Sequence, residues 1–289
     1  MKRILTILAL SLLCLTSNAQ LLWKISGNGI KKPSYILGTH HGCPYTYCDS
    51  IPGLMKVHAQ VDNIIGEINM IELAQMSPER MQQMQAMMMM PADTSLLSLF
   101  NEEETAKVNE WLKKEMGASL EMLSMMKPMT IMVTVLNKVM MEVIPDVANM
   151  TTIDKYMQTL GQSKGKSIGE LETEDYQMTL LYGNSLEEQA DALLEMIAQG
   201  ESRELMVQLT DAYKSQNLDT LWEIFQEQMT DYEYDAIVKV RNLNWEKQMK
   251  ELLPKQSTLF VVGAGHLPGE NGMINLLRKA GYKVKPVKK

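Results

Sequence analysis

The sequence predicts an α/β protein with a mainly parallel central sheet that is formed by the N-terminal and C-terminal parts of the chain. Three observations lead to this prediction. Short apolar runs that end in glycine-containing turns lie near both ends of the sequence, patterns with helical spacing lie between them, and the middle third is rich in methionine. We therefore expect a sheet with a large helical insertion.

Four runs of apolar and β-branched residues have the composition of buried strands. They span residues 21–25, 34–37, 63–68 and 258–262, and two weaker runs span residues 166–171 and 282–287. Because these runs are far apart in the chain, the predicted sheet joins distant segments.

Several segments after residue 180 have the pattern of helices. Ser185 and Glu188 have the spacing of a capping box, and the helical pattern that follows ends before Gly200. Further helices are predicted over residues 219–229, 233–253 and 272–280.

The predicted insertion, at about residues 70–165, has an unusual composition, because 17 of the 26 methionines lie between Met70 and Met150. Methionine is a good helix former, and it fills irregular apolar space. We expect helices with a methionine-filled core that cap or line the functional site. Binding of Cu(I) or of variable apolar partners is the alternative, although no histidine lies in this segment.

Residues 1–19 have the three regions of a signal peptide, with a basic start, an apolar stretch and small residues before a cleavage site at Ala19. The apolar stretch of about 12 residues is shorter than the roughly 20 that a membrane-spanning helix needs. We therefore expect a periplasmic or secreted protein without stable membrane insertion, and a single domain over residues 20–289.

The charge of the chain argues against nucleic acid as a partner. The net charge is −7, and it becomes −9 once Lys2 and Arg3 are removed with the signal peptide. Binding to nucleic acid depends on clustered Lys and Arg that displace counterions. The oligomeric state is left open by the sequence.

Cys43 and Cys48 are the two cysteines that remain after the expected cleavage. In an oxidising compartment they can close a small loop as a disulfide, and two free thiols are the alternative. A structural zinc site is disfavoured because it needs four ligands and no second cysteine pair exists.

Two Gly-x-x-His motifs follow predicted strands, one from Gly38 to His41 and one from Gly263 to His266, and Glu67 follows a third strand. Open α/β sheets bind their ligands at the carboxyl ends of their strands, so we expect one shared cleft. Two imidazoles and one carboxylate are the minimal set for a catalytic metal that keeps a position open for water. Each residue taken alone is more often structural.

Five segments resemble the TraB/GumN family in the same order, over the whole mature chain. They are residues 22–27, residues 33–41, Gly66 with Glu67, residues 262–269 and residues 272–282. The family includes the Tiki metalloproteases, which depend on manganese or cobalt. The resemblance implies a metal-dependent peptidase acting on a peptide or protein, with His41, His266 and Glu67 as ligands of a manganese, cobalt or zinc ion.

Two further spots are similar to the family. Glu172 matches a Leu-Glu-Thr element and is expected to act as a base or as a further ligand, or else to cap a helix. Arg241, four residues before Trp245, is expected to hold a substrate carboxylate or an oxyanion, or else to stack on that tryptophan. The resemblance therefore adds Glu172 and Arg241 to Glu67 as candidate catalytic residues.

The remaining histidines receive structural interpretations. Neighbouring residues on an extended strand point to opposite sides, so only one of His40 and His41 faces the cleft, and the motif selects His41. We expect His40 to pack or to hold a neighbour by a hydrogen bond. His58, in a predicted helix, is expected at the surface.

Two other functions stay open, because the broad fold is also similar to erythromycin esterases and haem-binding ChaN proteins, and a fold does not determine a reaction. One is a non-enzymatic binder of peptide, haem or copper. The other is a metal-independent esterase, in which a histidine acts as general base on water and Glu67 orients it.

Overall fold

The computed structural model of the chain describes residues 20–146, 150–200 and 202–288. The predicted signal peptide lies outside the described residues. Within the described ranges, no helix is long and apolar enough to cross a membrane.

A six-stranded sheet forms in the order β4-β3-β5-β2-β1-β6. Its strands are β1 (Leu22–Ser26), β2 (Ser34–Thr39), β3 (Asn63–Gly66), β4 (Ser167–Glu170), β5 (Thr258–Gly263) and β6 (Lys283–Pro286). The pairs β2 with β5, β3 with β5 and β3 with β4 are parallel, whereas β1 is antiparallel to β2 and β6. The predicted fold class is therefore confirmed, and four parallel strands end at one edge of the sheet.

The burial of the two central strands explains why the sequence predicted them clearly. Every residue of β2 and of β5 is buried, because both faces of the sheet are covered, and such strands are continuous apolar runs. The edge strands β4 and β6 are partly exposed. This difference explains why the same two strands gave weaker patterns.

Helices surround the sheet. They are α1 (Leu54–Gln60), α2 (Met70–Leu73), α3 (Pro78–Met88), α4 (Glu102–Met116), α5 (Pro128–Val143), α6 (Ile153–Ser163), α7 (Glu174–Tyr182), α8 (Leu186–Gln199), α9 (Ser202–Lys214), α10 (Leu218–Gln228), α11 (Asp231–Tyr234), α12 (Val240–Leu252) and α13 (Met273–Lys279). The capping box of Ser185 and Glu188 begins α8 as predicted.

The predicted helix over residues 233–253 is divided in the structure. A π-helical turn, Asp235–Lys239, separates α11 from α12. Such turns widen the helix and often lie at functional sites. Here the carbonyl of Ile237 in this turn accepts a hydrogen bond of 3.0 Å from Nη1 of Arg241.

The methionine-rich segment is helical, but its core is not built of methionine as we expected. The second hydrophobic core consists of Leu96, Phe100, Val108, Leu112, Leu120, Ile131, Ala190 and Leu193. Branched and aromatic side chains fill its centre, while Met116, Met126 and Met132 pack at its margin. Because Ala190 and Leu193 lie in α8, the segment shares this core with helices beyond residue 165.

The structure also decides what the sequence left open for two histidines and for the cysteine pair. His58 is only 2% exposed, and its Nε2 donates to the carbonyl of Met157 at 3.0 Å, so the expected surface position was wrong. The docking of α6 over α1 buries it.

Cys43 and Cys48 are buried free thiols, so the structure contains no disulfide between them. His40 packs against Tyr213, with ring centroids 5.5 Å apart.

Candidate functional site

The predicted site residues follow the ends of neighbouring parallel strands. His41 lies two residues beyond β2, Glu67 directly follows β3, Glu172 lies two residues beyond β4, and His266 ends a short 3-10 turn after β5. Since these four strands are adjacent and parallel, their carboxyl ends bring the four side chains to one edge of the sheet.

Gly263, the last residue of β5, marks the point where three of these side chains meet. A Cβ atom placed on Gly263 would lie 3.3 Å from Glu67 Oε1, 3.5 Å from His266 Cδ2 and 3.6 Å from His41 Nε2. The backbone angles of Gly263, φ −55° and ψ 138°, are open to any residue. Neither the backbone nor the surrounding atoms strictly require glycine, but its missing side chain leaves the point of convergence unfilled.

The glycine of the first motif serves the packing of the same two strand ends. A Cβ atom on Gly38 would lie 2.8 Å from Leu267 Cδ1 and 3.0 Å from Ala264 Cα. The turn that carries His266 thus lies directly against β2, which brings the two Gly-x-x-His motifs side by side.

Arg241, on α12, joins the buried side chains behind this point. Its Nη2 donates to Glu67 Oε2 at 2.6 Å and also to Glu172, while Nε donates to both oxygens of Glu172 at 3.0 and 3.1 Å. Its Nη1 donates to His266 Nε2 at 3.0 Å and to the carbonyl of Ile237. A guanidinium has five N–H groups, and all five are engaged.

The hydrogen bonds of His266 determine its protonation. Nδ2 of Asn242 donates to the carbonyls of His266 and Asn271, so Oδ1 of Asn242 accepts the bond of 2.8 Å from Nδ1 of His266. Arg241 can only donate, so Nε2 of His266 carries the lone pair. Burial, together with the Arg241 cation, lowers the pKa of His266 to about 3. His266 is therefore a neutral imidazole.

Glu67 is an ionised carboxylate despite its burial. Burial alone would raise its pKa, but nearby positive charge and the 2.7 Å bond from the backbone N–H of Gly263 lower the pKa to about 2. Because His266 is neutral, the guanidinium of Arg241 supplies most of this attraction. The carboxylate thus presents Oε1 towards the open point over Gly263.

His41 lies at the mouth of the site, beside a carboxylate that we did not predict. Its Nδ1 is 3.7 Å from Oδ2 of Asp154 in the first turn of α6, an ion-pair distance that is too long for a hydrogen bond. Asp154 raises the pKa of His41 above its ordinary 6.5. Since 70% of the His41 side chain is exposed, water screens part of this effect.

Asp154 itself is fixed from the sheet side. Oγ1 of Thr39 donates to its Oδ1 at 2.6 Å, whereas Oδ2 has no hydrogen-bond partner within the described residues. In the sequence, Asp154 is an acid in the first turn of a helix, which is a common helix start. Nothing in the sequence pattern links it to a histidine 113 positions earlier.

A cavity of about 310 Å³ opens onto the outer part of this arrangement. Its lining residues are His41, Glu67, Ile68, Met70, Thr152, Asp154, Gln158, Gln177 and Val261. Gln177, also missed in the sequence, donates through Nε2 to Glu67 Oε2 at 3.2 Å and to Glu172 Oε1 at 2.8 Å. Arg241, Glu172 and His266 therefore form the layer behind Glu67, while His41 and Glu67 face the cavity.

The expected metal ligands have suitable donor types, but their atoms are not free in this arrangement. Nε2 of His266 and Oε2 of Glu67 are both bonded to Arg241. This leaves Nε2 of His41 and one lone pair of Glu67 Oε1, because that oxygen also accepts from the backbone N–H of Gly263. Two donors are fewer than the three protein ligands of a catalytic zinc site. Among the described residues, no group of three His, Cys, Asp or Glu side chains is arranged to hold a metal ion. The residues as arranged do not fit the metal that the resemblance implies.

The same buried hydrogen bonds bear on the roles expected for Arg241 and Glu172. Arg241 has no N–H left for a substrate carboxylate or an oxyanion, and it lies over Trp245 with 4.8 Å from Cζ to the ring centroid, as the stacking alternative described. Glu172 accepts from Arg241 and, at 3.0 Å, from Nε1 of Trp245, while Thr173 caps α7. Both residues hold the buried layer together.

The comparisons with known proteins agree with the motifs at the strand ends. A sequence profile described as the TraB/PrgY/gumN family matches residues 21–286. No similar chain is found among curated proteins or among solved structures. Because the match covers nearly the whole sequence, the chain belongs to the TraB/PrgY/gumN family.

Proposed function

We propose that the chain is a hydrolase of peptides or related carbonyl compounds, and that the reaction takes place over Gly263. One observation carries the proposal. An exposed imidazole, His41 Nε2, and an ionised carboxylate oxygen, Glu67 Oε1, lie within 3.6 Å of one unfilled point at the edge of a cavity of about 310 Å³. A water molecule bound beside Gly263, between these two groups, would have an acceptor on either side.

The chemistry assigned to His41 is that of a general base and acid. Asp154 lies on the Nδ1 side of its ring, so Nε2 points towards Gly263. In the proposed reaction, Glu67 orients a water molecule, and His41 in its neutral form takes the proton while the oxygen attacks the substrate carbonyl. Because Asp154 raises the pKa of His41, the neutral form and the rate increase as the pH rises. The C–N or C–O bond then breaks, and His41 returns the proton to the leaving group.

The buried layer prepares Glu67 for this role. Arg241, Gln177 and the backbone N–H of Gly263 all donate to its carboxylate, so its orientation is fixed before substrate arrives. Catalytic groups that are held in place in advance need no reorganisation in the transition state. Glu172 and His266 contribute by holding Arg241.

A second candidate is the metal-dependent peptidase that the resemblance implies. The observation that favours it is the meeting of all three expected ligands, His41, His266 and Glu67, around Gly263. A manganese, cobalt or zinc ion bound there would polarise a carbonyl and activate water. This function requires Arg241 to release Nε2 of His266.

Location and partners form part of the proposal. The pattern of residues 1–19 supports export to the periplasm or out of the cell, and the net charge of −7 supports a partner other than nucleic acid. A peptide or protein that reaches the open cavity is the proposed substrate.

The test uses the chain from Gln20 onwards, incubated with a diverse peptide library in EDTA and, separately, with added manganese, cobalt or zinc. We expect cleavage in EDTA that is lost in His41→Ala and kept in His40→Asn, a matched control whose amide oxygen still accepts from the backbone N–H of Gly42. Cleavage only with added metal would support the second candidate. Equal cleavage by wild type and His41→Ala, or none under any condition, would contradict the proposal.

A further inference from the structure

We infer that the guanidinium of Arg241 is a built-in cation in the position that a divalent metal would take, and that removing it creates a metal site in this chain. The wild-type chain then binds no metal ion through His266 and Glu67. This inference concerns binding, so it holds or fails independently of the proposed hydrolysis.

Three metal-type donor atoms surround the guanidinium. His266 Nε2 is 3.0 Å from Nη1, Glu67 Oε2 is 2.6 Å from Nη2, and Glu172 Oε1 is 3.0 Å from Nε. One imidazole and two carboxylates form a ligand set that zinc and manganese accept. The same three side chains hold one cation now and could hold another in its absence.

The histidine is already prepared as a ligand. Nδ1–H of His266 is fixed by Asn242, which directs the lone pair of Nε2 towards Arg241. Histidines that bind metals commonly have their other ring nitrogen held by such a partner. In this chain the prepared lone pair is used by an arginine.

The charges in this layer demand a cation. The side chains of Glu67, Glu172 and Arg241 are only 6 to 9% exposed. Two carboxylates face one guanidinium, so removal of Arg241 would leave two buried negative charges without a counterion. A divalent ion matches that charge.

Arg241 is held too firmly to move aside for a metal in the wild-type chain. All five of its N–H groups are bonded, one of them to Ile237 in the π-helical turn, and its guanidinium lies over Trp245. Release would break these bonds together. The π turn and Trp245 thus both fix the position of the guanidinium.

The experiment measures zinc and manganese binding by calorimetry and the thermal midpoint with and without zinc. The proteins are wild type, Arg241→Met and Arg241→Met/His266→Ala. Arg278→Met is the matched control, because Arg278 also lies over a tryptophan, Trp23, but its guanidinium donates to the backbone carbonyl of Val284. We expect one saturable zinc ion in Arg241→Met, a rise of its thermal midpoint on adding zinc, and loss of both effects in the double variant. Wild type and Arg278→Met show neither.

Two results would overturn the inference. One is stoichiometric metal binding by wild type that His266→Ala abolishes, which would mean that Arg241 moves aside. The other is an Arg241→Met protein that binds no better than wild type, or that stays unfolded even when refolded with zinc. Because His41-dependent cleavage is measured separately, failure of either idea leaves the other open to its own result.

Discussion

Alanine at position 263 would place a methyl group at the point where the site side chains meet. The new Cβ would lie 3.3 Å from Glu67 Oε1 and 3.6 Å from His41 Nε2. Those two atoms are the proposed neighbours of the attacking water. The substitution thus fills the reaction centre and removes no side chain.

The expected magnitudes differ strongly for stability and for activity. Gly263 has φ −55°, so alanine is compatible with the backbone, and such changes stabilise a protein by about 0.4–1 kcal/mol. The close contact with Glu67 opposes this gain, so the free energy of unfolding should change by less than about 1 kcal/mol. A displacement of reacting groups by about 1 Å costs about 100-fold in rate, so kcat/KM should fall at least that far.

The assay compares kcat/KM on a cleaved peptide with urea unfolding of the same proteins. Gly169→Ala is the matched control, because its new Cβ would meet only the Ile65 side chain, at ordinary distances of 3.5 and 3.9 Å. A Gly263→Ala protein that is as stable as wild type and retains wild-type kcat/KM would refute the assignment of the reaction centre.

Three more predictions follow from the described contacts. Asp154→Asn should move the rise of kcat/KM to lower pH, because the carboxylate that raises the pKa of His41 is lost, with circular dichroism unchanged. Burial lowers the pKa of His58 below 6.5, so the unfolded chain binds a proton that the folded chain excludes, and stability falls as the pH drops below about 6.5. Urea unfolding of His58→Gln at pH 7 and pH 5 should show a smaller loss, and an equal loss would assign the effect elsewhere. Cys43 and Cys48 should react with a thiol reagent only after unfolding, and reductant should leave the thermal midpoint unchanged, whereas a midpoint lowered by reductant would reveal a disulfide.

Much of the sheet was predictable because its central strands are buried on both faces. The runs that became β2 and β5 are mostly apolar and lead into a glycine, so their type and their carboxyl ends could be predicted from the sequence. Once the strands are parallel and adjacent, His41, Glu67 and His266 must share one edge. The convergence at Gly263 is a consequence of that topology.

The parts that were not predictable depend on how helices dock. Asp154 reaches His41 only because α6 packs over the sheet, and the same docking buries His58 under the carbonyl of Met157. One of the five N–H groups of Arg241 donates to the carbonyl of Ile237 in a π turn, and no sequence pattern indicated that turn. Such contacts are set by tertiary packing, which local periodicity does not describe.

The central claim is that Arg241 holds Glu67, Glu172 and His266 in one layer behind the open point at Gly263. Anomalous diffraction from crystals of the chain grown with manganese or zinc tests it most directly. We predict density for the guanidinium between the two carboxylates and no anomalous peak within bonding distance of His266 Nε2. A metal peak shared by His41, His266 and Glu67, with Arg241 displaced, would contradict the claim.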